Sequence, residues 1–312
     1  MTMKVLICDP VAPVTIQALL VAGSEVVNRP DISAEELLRD AAGYDGMVVR
    51  SRTKIPKDVI DAAENLKIVV RGGVGLDNID VPYAQENGVA VRNTPKASSN
   101  SVAELALGYM LALARHIPQA TMSMSDGAWQ KKKLKGTEIA GKTLGLVGFG
   151  NIGGLLGRKA AALGMDVIFY DVVTPPDAGP AQQVDLEDVL AQSDYISLHV
   201  PFLPATKNML NAAAFAKMKD GVYIVNCARG GIIDEDDLCD ALESGKVAGA
   251  ALDVYLDEKV NPGNAKLFEL QDENGFNKVI GSPHIGASTA EGQARVGIEV
   301  ADILIEYYRE SF

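Results

Sequence analysis

Three side chains in the second half of the chain combine the residue types that proton transfer and anion binding require. Arg229 follows the apolar run VYIVNCA, His284 follows KVIGSP, and Glu258 stands in a loop between them. A histidine titrates near neutral pH and can exchange a proton with a hydroxyl group. A carboxylate on its second ring nitrogen would fix the tautomer and favour the protonated ring. An arginine matches a carboxylate with two parallel hydrogen bonds, so the trio predicts acid/base chemistry on a small carboxylic acid.

Each of these residues also has a structural interpretation. His284 could be a satisfied histidine after a strand, and Arg229 could hold its own loop through an ion pair. Their joint appearance on one edge of the second segment favours a site, because the carboxyl ends of parallel strands meet at one edge. His116 and His199 lack such company and are expected to be structural. Cys227 has no base near it in sequence, which argues against a nucleophile, and three scattered histidines predict no metal centre.

A glycine-rich segment, LGLVGFGNIGG at residues 144–154, lies between an apolar run and the helical stretch LLGRKAAALG. Its G-x-G-x-x-G glycines are Gly148, Gly150 and Gly153. In this motif the first glycine permits a tight turn, the second lets a pyrophosphate approach, and the third lets helix and strand pack closely. Asp171 ends the next strand-like run, where a carboxylate bonds a ribose hydroxyl. Residues 172–180 contain no Lys or Arg for a 2′-phosphate, so NAD is favoured over NADP.

The elements that must position these residues are short β-rich runs alternating with stretches of helical spacing, which is typical of parallel βα units. The first segment has KVLICD, GMVVR, KIVVRG and VAVRN; the second has TLGLVGFG, DVIFYD, YISLHVP, GVYIVNCARG, GAALDVY and KVIGSPH. Ser101 with Glu104 and Ser288 with Glu291 predict capping boxes at the starts of two helices. The last helix is expected to return to the first segment.

Charge, composition and local sequence patterns argue against nucleic-acid-binding, secreted and membrane proteins. The net charge of −12 argues against a nucleic-acid surface. The N-terminus MTMKVLICDP has no signal-peptide pattern, and LALGYMLALA falls far short of the ~20 apolar residues of a membrane span. Cys8, Cys227 and Cys239 show no metal or disulfide spacing, which fits a reducing compartment. We therefore expect a cytoplasmic protein without nucleic-acid or membrane partners.

Several longer segments are specific as a set: VRSRTKI, GVGLDNID, NTPKASSNSVAELALG, RHIPQATMSM, KGTEIAGKTLGLVGFGNIGG, VNCARGGIIDE, ALDVY and SPHIGAST. Through them, over essentially its whole length, the sequence resembles the D-2-hydroxyacid dehydrogenases, and within that family the D-3-phosphoglycerate dehydrogenases. The resemblance implies NAD-dependent oxidation of 3-phospho-D-glycerate to 3-phosphohydroxypyruvate, the entry step of serine synthesis. The expected fold is α/β, with a Rossmann NAD-binding domain (residues 98–287) inserted into a flavodoxin-like substrate-binding domain (residues 1–97 plus 288–312).

The resemblance also implies residue roles. His284 would be the acid/base, Glu258 its partner and Arg229 the substrate anchor. The implied cofactor contacts are Val74, Gly148, Gly150, Asn151, Ile152, Gly153, Asp171, Val200, Pro201, Cys227, Ala228, Asp253, Gly286 and Ala287. For Asp253 a buried structural carboxylate is the rival interpretation. Val74 stands where relatives often carry a hydroxyl residue, so a hydrogen bond to the cofactor phosphates is expected to be missing there.

Substrate binding is expected at Arg50, Ser51, Arg71, Gly73 and Lys131, with the active site in a cleft between the two domains. The turn GGVG at residues 72–75 is either a plain turn or a cradle for a carboxylate. The basic run KKKLK at residues 131–135 is either a solvated face or a phosphate contact. Lys131 matches a position where relatives often have arginine, so it keeps the charge but loses the two-pronged geometry. It could act in its own subunit or in the neighbouring one.

Alternative functions remain open at this stage. Within enzymes these are a glyoxylate or hydroxypyruvate reductase, or a dehydrogenase of another acidic 2-hydroxy acid. From another class, the same fold could be a non-catalytic NAD-sensing scaffold, which the absence of tails in this chain disfavours. A homodimer through the cofactor domain is expected. The sequence ends after its last predicted helix, so we expect no serine-binding regulatory domain and no feedback inhibition by serine.

Overall fold

The computed structural model describes residues 2–258 and 265–311. The chain divides into two compact units, which we call unit 1 (Met1–Ser99 with Ala287–Phe312) and unit 2 (Asn100–Gly286). The predicted domain limits, at residues 97/98 and 287/288, lie beside these divisions. The assignment of a substrate domain and a cofactor domain to them stays a prediction.

The secondary structure alternates strands and helices along most of the chain. The strands are β1 (Lys4–Ile7), β2 (Glu25–Asn28), β3 (Gly46–Val49), β4 (Ile68–Arg71), β5 (Ala90–Asn93), β6 (Thr143–Val147), β7 (Asp166–Tyr170), β8 (Gln182–Gln183), β9 (Tyr195–Leu198), β10 (Val222–Asn226), β11 (Val247–Leu252) and β12 (Val279–Gly281). The helices are α1 (Pro13–Val21), α2 (Ala34–Asp40), α3 (Lys57–Ala62), α4 (Val81–Glu86), α5 (Ser99–Arg115), α6 (Ile117–Ser125), α7 (Asn151–Ala162), α8 (Leu186–Gln192), α9 (Ala212–Lys217), α10 (Glu235–Glu243), α11 (Ala265–Glu269) and α12 (Ala290–Ser311).

Unit 1 contains a five-stranded parallel sheet in the order β2-β1-β3-β4-β5, which is the flavodoxin-like order. Both faces of the sheet are buried, because alternate residues of an apolar strand point to opposite sides. In β1, Val5 packs with α1 and α12 on one face, whereas Leu6 packs with α2, α3 and α4 on the other. In α12, Val296, Val300 and Leu304 recur at helical spacing and complete the first of these faces.

Unit 2 contains a seven-stranded parallel sheet in the order β12-β11-β10-β9-β6-β7-β8. Counted from β6, the order begins 3-2-1-4-5-6, as in the Rossmann fold, and reverses between β6 and β9. The predicted fold class, with one Rossmann unit and one flavodoxin-like unit, is confirmed. Two strands were missed: β2, which is a half-exposed edge strand, and β8, which has only two residues.

Both predicted capping boxes are misplaced. Helix α5 begins at Ser99, so Ser101 lies inside its first turn instead of preceding it. Helix α12 begins at Ala290, and the Oγ1 of Thr289 accepts a hydrogen bond from the backbone N of Gly292. The reason is that the capping residue is fixed by where the backbone turns, and a neighbouring Ser or Thr can serve equally well.

Two further findings apply to the described residues alone. No helix within residues 2–258 and 265–311 is long and apolar enough to cross a membrane. Within the same residues, no group of three or more His, Cys, Asp or Glu side chains could hold a metal ion. Cys8, Cys227 and Cys239 are free and buried.

Candidate functional site

The histidine and the glutamate singled out in the sequence form a hydrogen-bonded pair in unit 2. His284 follows β12, and its Nδ1 lies 2.9 Å from the Oε2 of Glu258. Burial raises the pKa of Glu258, but the hydrogen bond and charge of His284, together with Arg229, outweigh it and bring the pKa below its ordinary value. The carboxylate is therefore ionised at neutral pH and can only accept. Consequently Nδ1 carries the hydrogen, and Nε2 is left to exchange a proton.

The backbone around His284 is held by Asp253, which follows β11 and is buried. Asp253 Oδ1 accepts from the hydroxyl of Ser282 and, at 2.8 Å, from the backbone N of Ile285. Asp253 Oδ2 accepts from the backbone N of Gly286 at 2.8 Å. His284 itself adopts a left-handed conformation with φ 53°, which is uncommon for a non-glycine residue. The geometry favours the structural interpretation of Asp253; its contact with a cofactor stays a prediction.

Arg229 follows β10 in a turn that is closed by Asn226. The Nδ2 of Asn226 donates to the carbonyl of Arg229 at 2.9 Å, and its Oδ1 accepts from the backbone N of Ala228 at 3.0 Å. The next residue must be glycine, because a Cβ on Gly230 would lie 1.8 Å from the carbonyl oxygen of Tyr255. Asn226 was not singled out in the sequence, although it is the single polar residue of the strand VYIVN. It shapes the turn that presents the guanidinium.

The three glycines of the cradle have different neighbours. A Cβ on Gly148 would lie 2.5 Å from the carbonyl oxygen of His199, and one on Gly153 would lie 2.2 Å from the carbonyl oxygen of Gly148. A Cβ on Gly150, the residue before α7, would meet no atom of residues 2–258 and 265–311 within 4 Å. The first and third glycines are thus required by packing inside the unit, and the second leaves open space at a helix N-terminus. This is the space that a pyrophosphate needs, so the residues present fit a dinucleotide.

Asp171 directly follows β7 and faces the cradle turn. Its Oδ2 accepts from the backbone N of Phe149 at 2.7 Å, and its Oδ1 accepts from the backbone N of Val173 at 2.9 Å. Each oxygen keeps a second lone pair for a ribose hydroxyl. Arg158 of α7, which sequence reasoning overlooked, reaches the following loop and pairs with Asp177 at 3.0 Å. The loop at residues 172–180 contains no Lys or Arg of its own, but the Arg158 guanidinium reaches it and is paired with the Asp177 carboxylate.

The remaining cofactor predictions in unit 2 lie at the same ends of strands. Asn151 and Ile152 open α7, Val200 and Pro201 follow β9, and Cys227 and Ala228 follow β10. Burial raises the pKa of the Cys227 thiol, which keeps it protonated at neutral pH and argues against a nucleophile. His199 is half-buried beside the cradle. Its Nε2 lies 2.9 Å from the hydroxyl of Ser197, and desolvation of the ring lowers its pKa to about 4.

Unit 1 gathers most of the predicted substrate residues at the carboxyl ends of β3 and β4. The Nη2 of Arg71 donates to the hydroxyl of Ser51 at 3.1 Å, and Arg50 follows β3 directly. The Arg71 guanidinium lies over Gly73, where a Cβ would stand 1.6 Å from Nη1, and Gly73 has φ 146°. Val74 is partly exposed, and its carbonyl accepts from Asn93. The arrangement concentrates cationic groups around a glycine turn.

Two predicted residues lie outside these clusters. Lys131 is exposed in a turn of unit 2, and its contact with a phosphate stays a prediction. Ala287 is the first residue of the C-terminal segment of unit 1. His116, which was expected to be structural, precedes α6 in a left-handed conformation with φ 51°.

The chain is similar to known proteins in both sequence and fold. Residues 107–286 match the family model described as D-isomer specific 2-hydroxyacid dehydrogenase, NAD binding domain. A hydroxypyruvate reductase of Thermotoga maritima is 48% identical over 300 residues, which cover 96% of each chain. A D-3-phosphoglycerate dehydrogenase of Rattus norvegicus is 45% identical over 96% of this chain and 55% of its own length, so the chain spans about half of that relative. The structure of a D-lactate dehydrogenase from Aquifex aeolicus, complexed with NAD and lactic acid, superposes with a TM-score of 0.85 at 28% identity and covers 98% of this chain and 96% of its own.

Proposed function

Because the chain belongs to the D-isomer specific 2-hydroxyacid dehydrogenase family and contains its NAD-binding domain at residues 107–286, we propose that it oxidises 3-phospho-D-glycerate to 3-phosphohydroxypyruvate and catalyses the reverse reduction. The observation that carries the proposal is the His284–Glu258 pair in the NAD-binding unit, with Arg229 close enough to act on Glu258. This is the set of groups that a hydroxyl-to-carbonyl oxidation of a carboxylic acid requires.

In this reaction His284, Glu258 and Arg229 would have separate roles. NAD supplies the acceptor for the hydride that leaves C2 of the hydroxy acid. His284 takes the hydroxyl proton at Nε2, while Glu258 holds the ring through Nδ1 and stabilises the imidazolium that forms. Arg229 binds the substrate carboxylate and orients C2. In the reduction, the same imidazolium returns the proton to the carbonyl oxygen.

A phosphorylated substrate is supported by the cations outside the acid/base pair. Arg50 and Arg71 stand together at one edge of unit 1, and the basic run at residues 131–135 stands out in a chain of net charge −12. A carboxylate and a phosphate on one small molecule need more cationic groups than Arg229 alone provides. The relatives named D-3-phosphoglycerate dehydrogenase support the same substrate.

The second candidate is the reduction of hydroxypyruvate. It is favoured by the Thermotoga maritima reductase, which is 48% identical and matches this chain over 96% of both lengths. The two candidate substrates differ by one phosphate group, so only the phosphorylated one would need a contact with Lys131. A non-catalytic scaffold would need none of these groups.

Initial rates with four acids test the proposal directly. NADH consumption would be followed with 3-phosphohydroxypyruvate, hydroxypyruvate and glyoxylate, and NADH formation with 3-phospho-D-glycerate. We expect the highest kcat/KM with the phosphorylated pair. Preference for hydroxypyruvate would establish the second candidate, and no turnover of any acid by a protein that binds NADH would support the scaffold.

Lys131→Met separates the two candidates at the level of one side chain. Removing the ammonium should raise KM for 3-phosphohydroxypyruvate by roughly tenfold, the order expected for one charge-assisted contact, and leave KM for hydroxypyruvate unchanged. Lys132→Met, an equally exposed neighbour in the same turn, is the matched control and should change neither value. Equal effects of the two variants would mean that the basic run is a solvated face.

Glu258→Gln tests the pairing of carboxylate and imidazole. A neutral amide accepts from Nδ1 but no longer stabilises the charged ring, so kcat should fall by about tenfold or more. Initial rates of wild type and variant in both directions would measure this fall, and an unchanged kcat would contradict the pairing.

A homodimer through unit 2 is also part of the proposal. Unit 2 exposes large apolar side chains on α6 and in the turn that follows it, namely Ile117, Met122, Met124 and Trp129. Exposed apolar side chains that come from one short segment are the kind of residues that interaction surfaces use. Sedimentation of wild type and Trp129→Glu would test this, because the charged variant should dissociate. The cytoplasmic location stays a prediction.

A further inference from the structure

A buried carboxylate lies beside the predicted substrate residues of unit 1. Asp9 follows β1 and is 1% exposed. Its Oδ2 accepts from the backbone N of Arg50 and, at 3.2 Å, from the backbone N of Thr53. Its Oδ1 accepts from the hydroxyl of Thr53 at 2.8 Å and lies 3.0 Å from the Nε of Arg52. Every one of these partners belongs to the loop of residues 50–53.

The loop therefore closes around one side chain that comes from another strand. Arg50 and Arg52 have different surroundings: Arg52 donates to the carbonyls of Cys8, Pro30 and Ile32 and is committed to the fold. Within the described residues, the Arg50 side chain has one hydrogen bond, a long one of 3.4 Å from Nη1 to the carbonyl of Pro10. Asp9 binds both the Arg50 amide and the Arg52 guanidinium. It therefore determines that Arg52, and not Arg50, uses its guanidinium for contacts within the fold.

A second side chain, that of Asn78, anchors the same loop through its carbonyl groups. The Nδ2 of Asn78 donates to the carbonyl of Arg50 at 2.8 Å and to the carbonyl of Thr53 at 2.6 Å. The backbone amide and the carbonyl of Arg50 are thus both bound by side chains remote in sequence. Such double anchoring makes the Arg50 Cα a fixed point from which the side chain projects.

Burial of the Asp9 charge requires a compensating arrangement. An ionised carboxylate away from water is destabilising unless it is paired and hydrogen-bonded, and a well-packed apolar residue often gives equal or greater stability. Here the compensating groups all come from the segment that carries Arg50 and Ser51. The carboxylate is consequently poised to set the geometry of that segment.

We propose that Asp9 is a positioning residue that sets the affinity for the acid substrate by holding the Arg50–Ser51 segment. The inference rests on the proposed function and on the prediction that Arg50 and Ser51 bind the substrate anion. Asp9 itself does not touch the substrate. Its loss should therefore appear as weaker substrate binding, with the chemical step and the binding of NADH preserved.

Asp9→Asn is the direct test. The amide has one acceptor oxygen in place of two and turns an NH2 group toward donors, so the loop loses its common anchor. We expect KM for 3-phosphohydroxypyruvate to rise about tenfold or more, as expected when a charge-assisted anchor is lost. We expect kcat and the NADH dissociation constant to stay close to wild type. An unchanged KM, or a fall confined to kcat, would overturn the proposal.

The same strand pair offers a matched control at its other end. Asp45 precedes β3, and its Oδ2 accepts from the backbone N of Lys4 at 2.7 Å. Asp45→Asn removes a carboxylate that also bridges β1 and β3 but is remote from the loop of residues 50–53. It should lower the unfolding temperature and leave KM unchanged. An equal rise in KM for both variants would show a general effect of stability and would refute the positioning role.

A milder pair of variants covers the case in which Asp9→Asn does not fold. Thr53→Val keeps the side-chain shape and removes the hydroxyl that donates to Asp9, whereas Thr53→Ser keeps the hydroxyl. KM should rise for the valine variant and return toward wild type for the serine variant. Equal KM values for the two would overturn the proposal.

The failure of this inference is distinguishable from failure of the proposed function. Arg50→Met is measured first with the same substrate. If wild type turns over no acid, or if Arg50→Met leaves KM unchanged, the proposed substrate residues are wrong. If Arg50→Met raises KM and Asp9→Asn does not, only the positioning role of Asp9 is refuted.

Discussion

His284→Asn should lower kcat by about 10²–10⁴-fold in both directions, the range that one positioned general acid/base contributes. The imidazole is the one group of the His284–Glu258–Arg229 set that can exchange a proton near neutral pH, because Glu258 is held ionised and an arginine does not titrate there. Asparagine is the suitable replacement, since His284 has φ 53° and asparagine tolerates left-handed backbone. The loop geometry should therefore survive the loss of the ring.

The control for this variant is His116, the other histidine with a left-handed φ. His116 has φ 51° and lies before α6, so His116→Asn makes the same chemical change at a similar backbone conformation. It should leave kcat unchanged. NADH binding, followed by fluorescence titration, should be nearly unchanged in both variants. Turnover retained by His284→Asn would refute the acid/base assignment, whereas lost NADH binding would indicate collapse of the loop.

Sequence patterns predicted most of the strands, since a buried parallel strand is a local signal. Runs such as GMVV and TLGLV are apolar on both faces and become β3 and β6. The ends of such runs also indicated where candidate functional side chains emerge, which is how Arg229 and His284 were singled out. The missed strand β2 shows the limit of this signal: its two valines are half-exposed at the edge of the sheet, and its ends are polar.

The side chains that hold the site could not be predicted in the same way. Asp9 and Arg50 are separated by 41 positions, and Asp253 and Gly286 by 33. Nothing local in the sequence distinguishes Asp9, which follows one strand and anchors a loop after another, from a surface aspartate. Asn226 had a local signal, a lone amide in an apolar strand, that was overlooked. Contacts made across a sheet become visible only when the strand order is known.

The three glycines of the motif look equivalent in the sequence but have different surroundings in the structure. In the sequence, Gly148, Gly150 and Gly153 form one fingerprint. In the structure, a Cβ at the first or third position would strike a carbonyl oxygen, whereas one at Gly150 would enter open space. Gly148 also needs its φ of 96°, which disfavours other residues. The first and third glycines are therefore required by packing within unit 2, whereas the open space at Gly150 leaves room for a pyrophosphate.

Gly150→Asp should remove NADH binding without destabilising the protein. Gly150 precedes α7, has a negative φ of −77°, and occupies the position where aspartate is among the preferred N-cap residues. The carboxylate would fill the space above the helix N-terminus and repel the pyrophosphate. We expect the NADH dissociation constant to rise by on the order of 100-fold or more, because both the space and the favourable charge are lost.

Two companion variants separate volume, charge and folding. Gly150→Asn has nearly the same shape without the charge, so it should weaken NADH binding less, and the difference from Gly150→Asp should shrink as salt is added. Gly153→Ala places a methyl group 2.2 Å from the carbonyl oxygen of Gly148, so it should lower the free energy of unfolding by about 1–3 kcal/mol through overpacking. Thermal unfolding and fluorescence titration of the three proteins would measure this. A folded Gly150→Asp variant with unchanged NADH affinity would mean that the dinucleotide does not lie on this cradle, because the space beside Gly150 is open in the part of the chain that the structure describes.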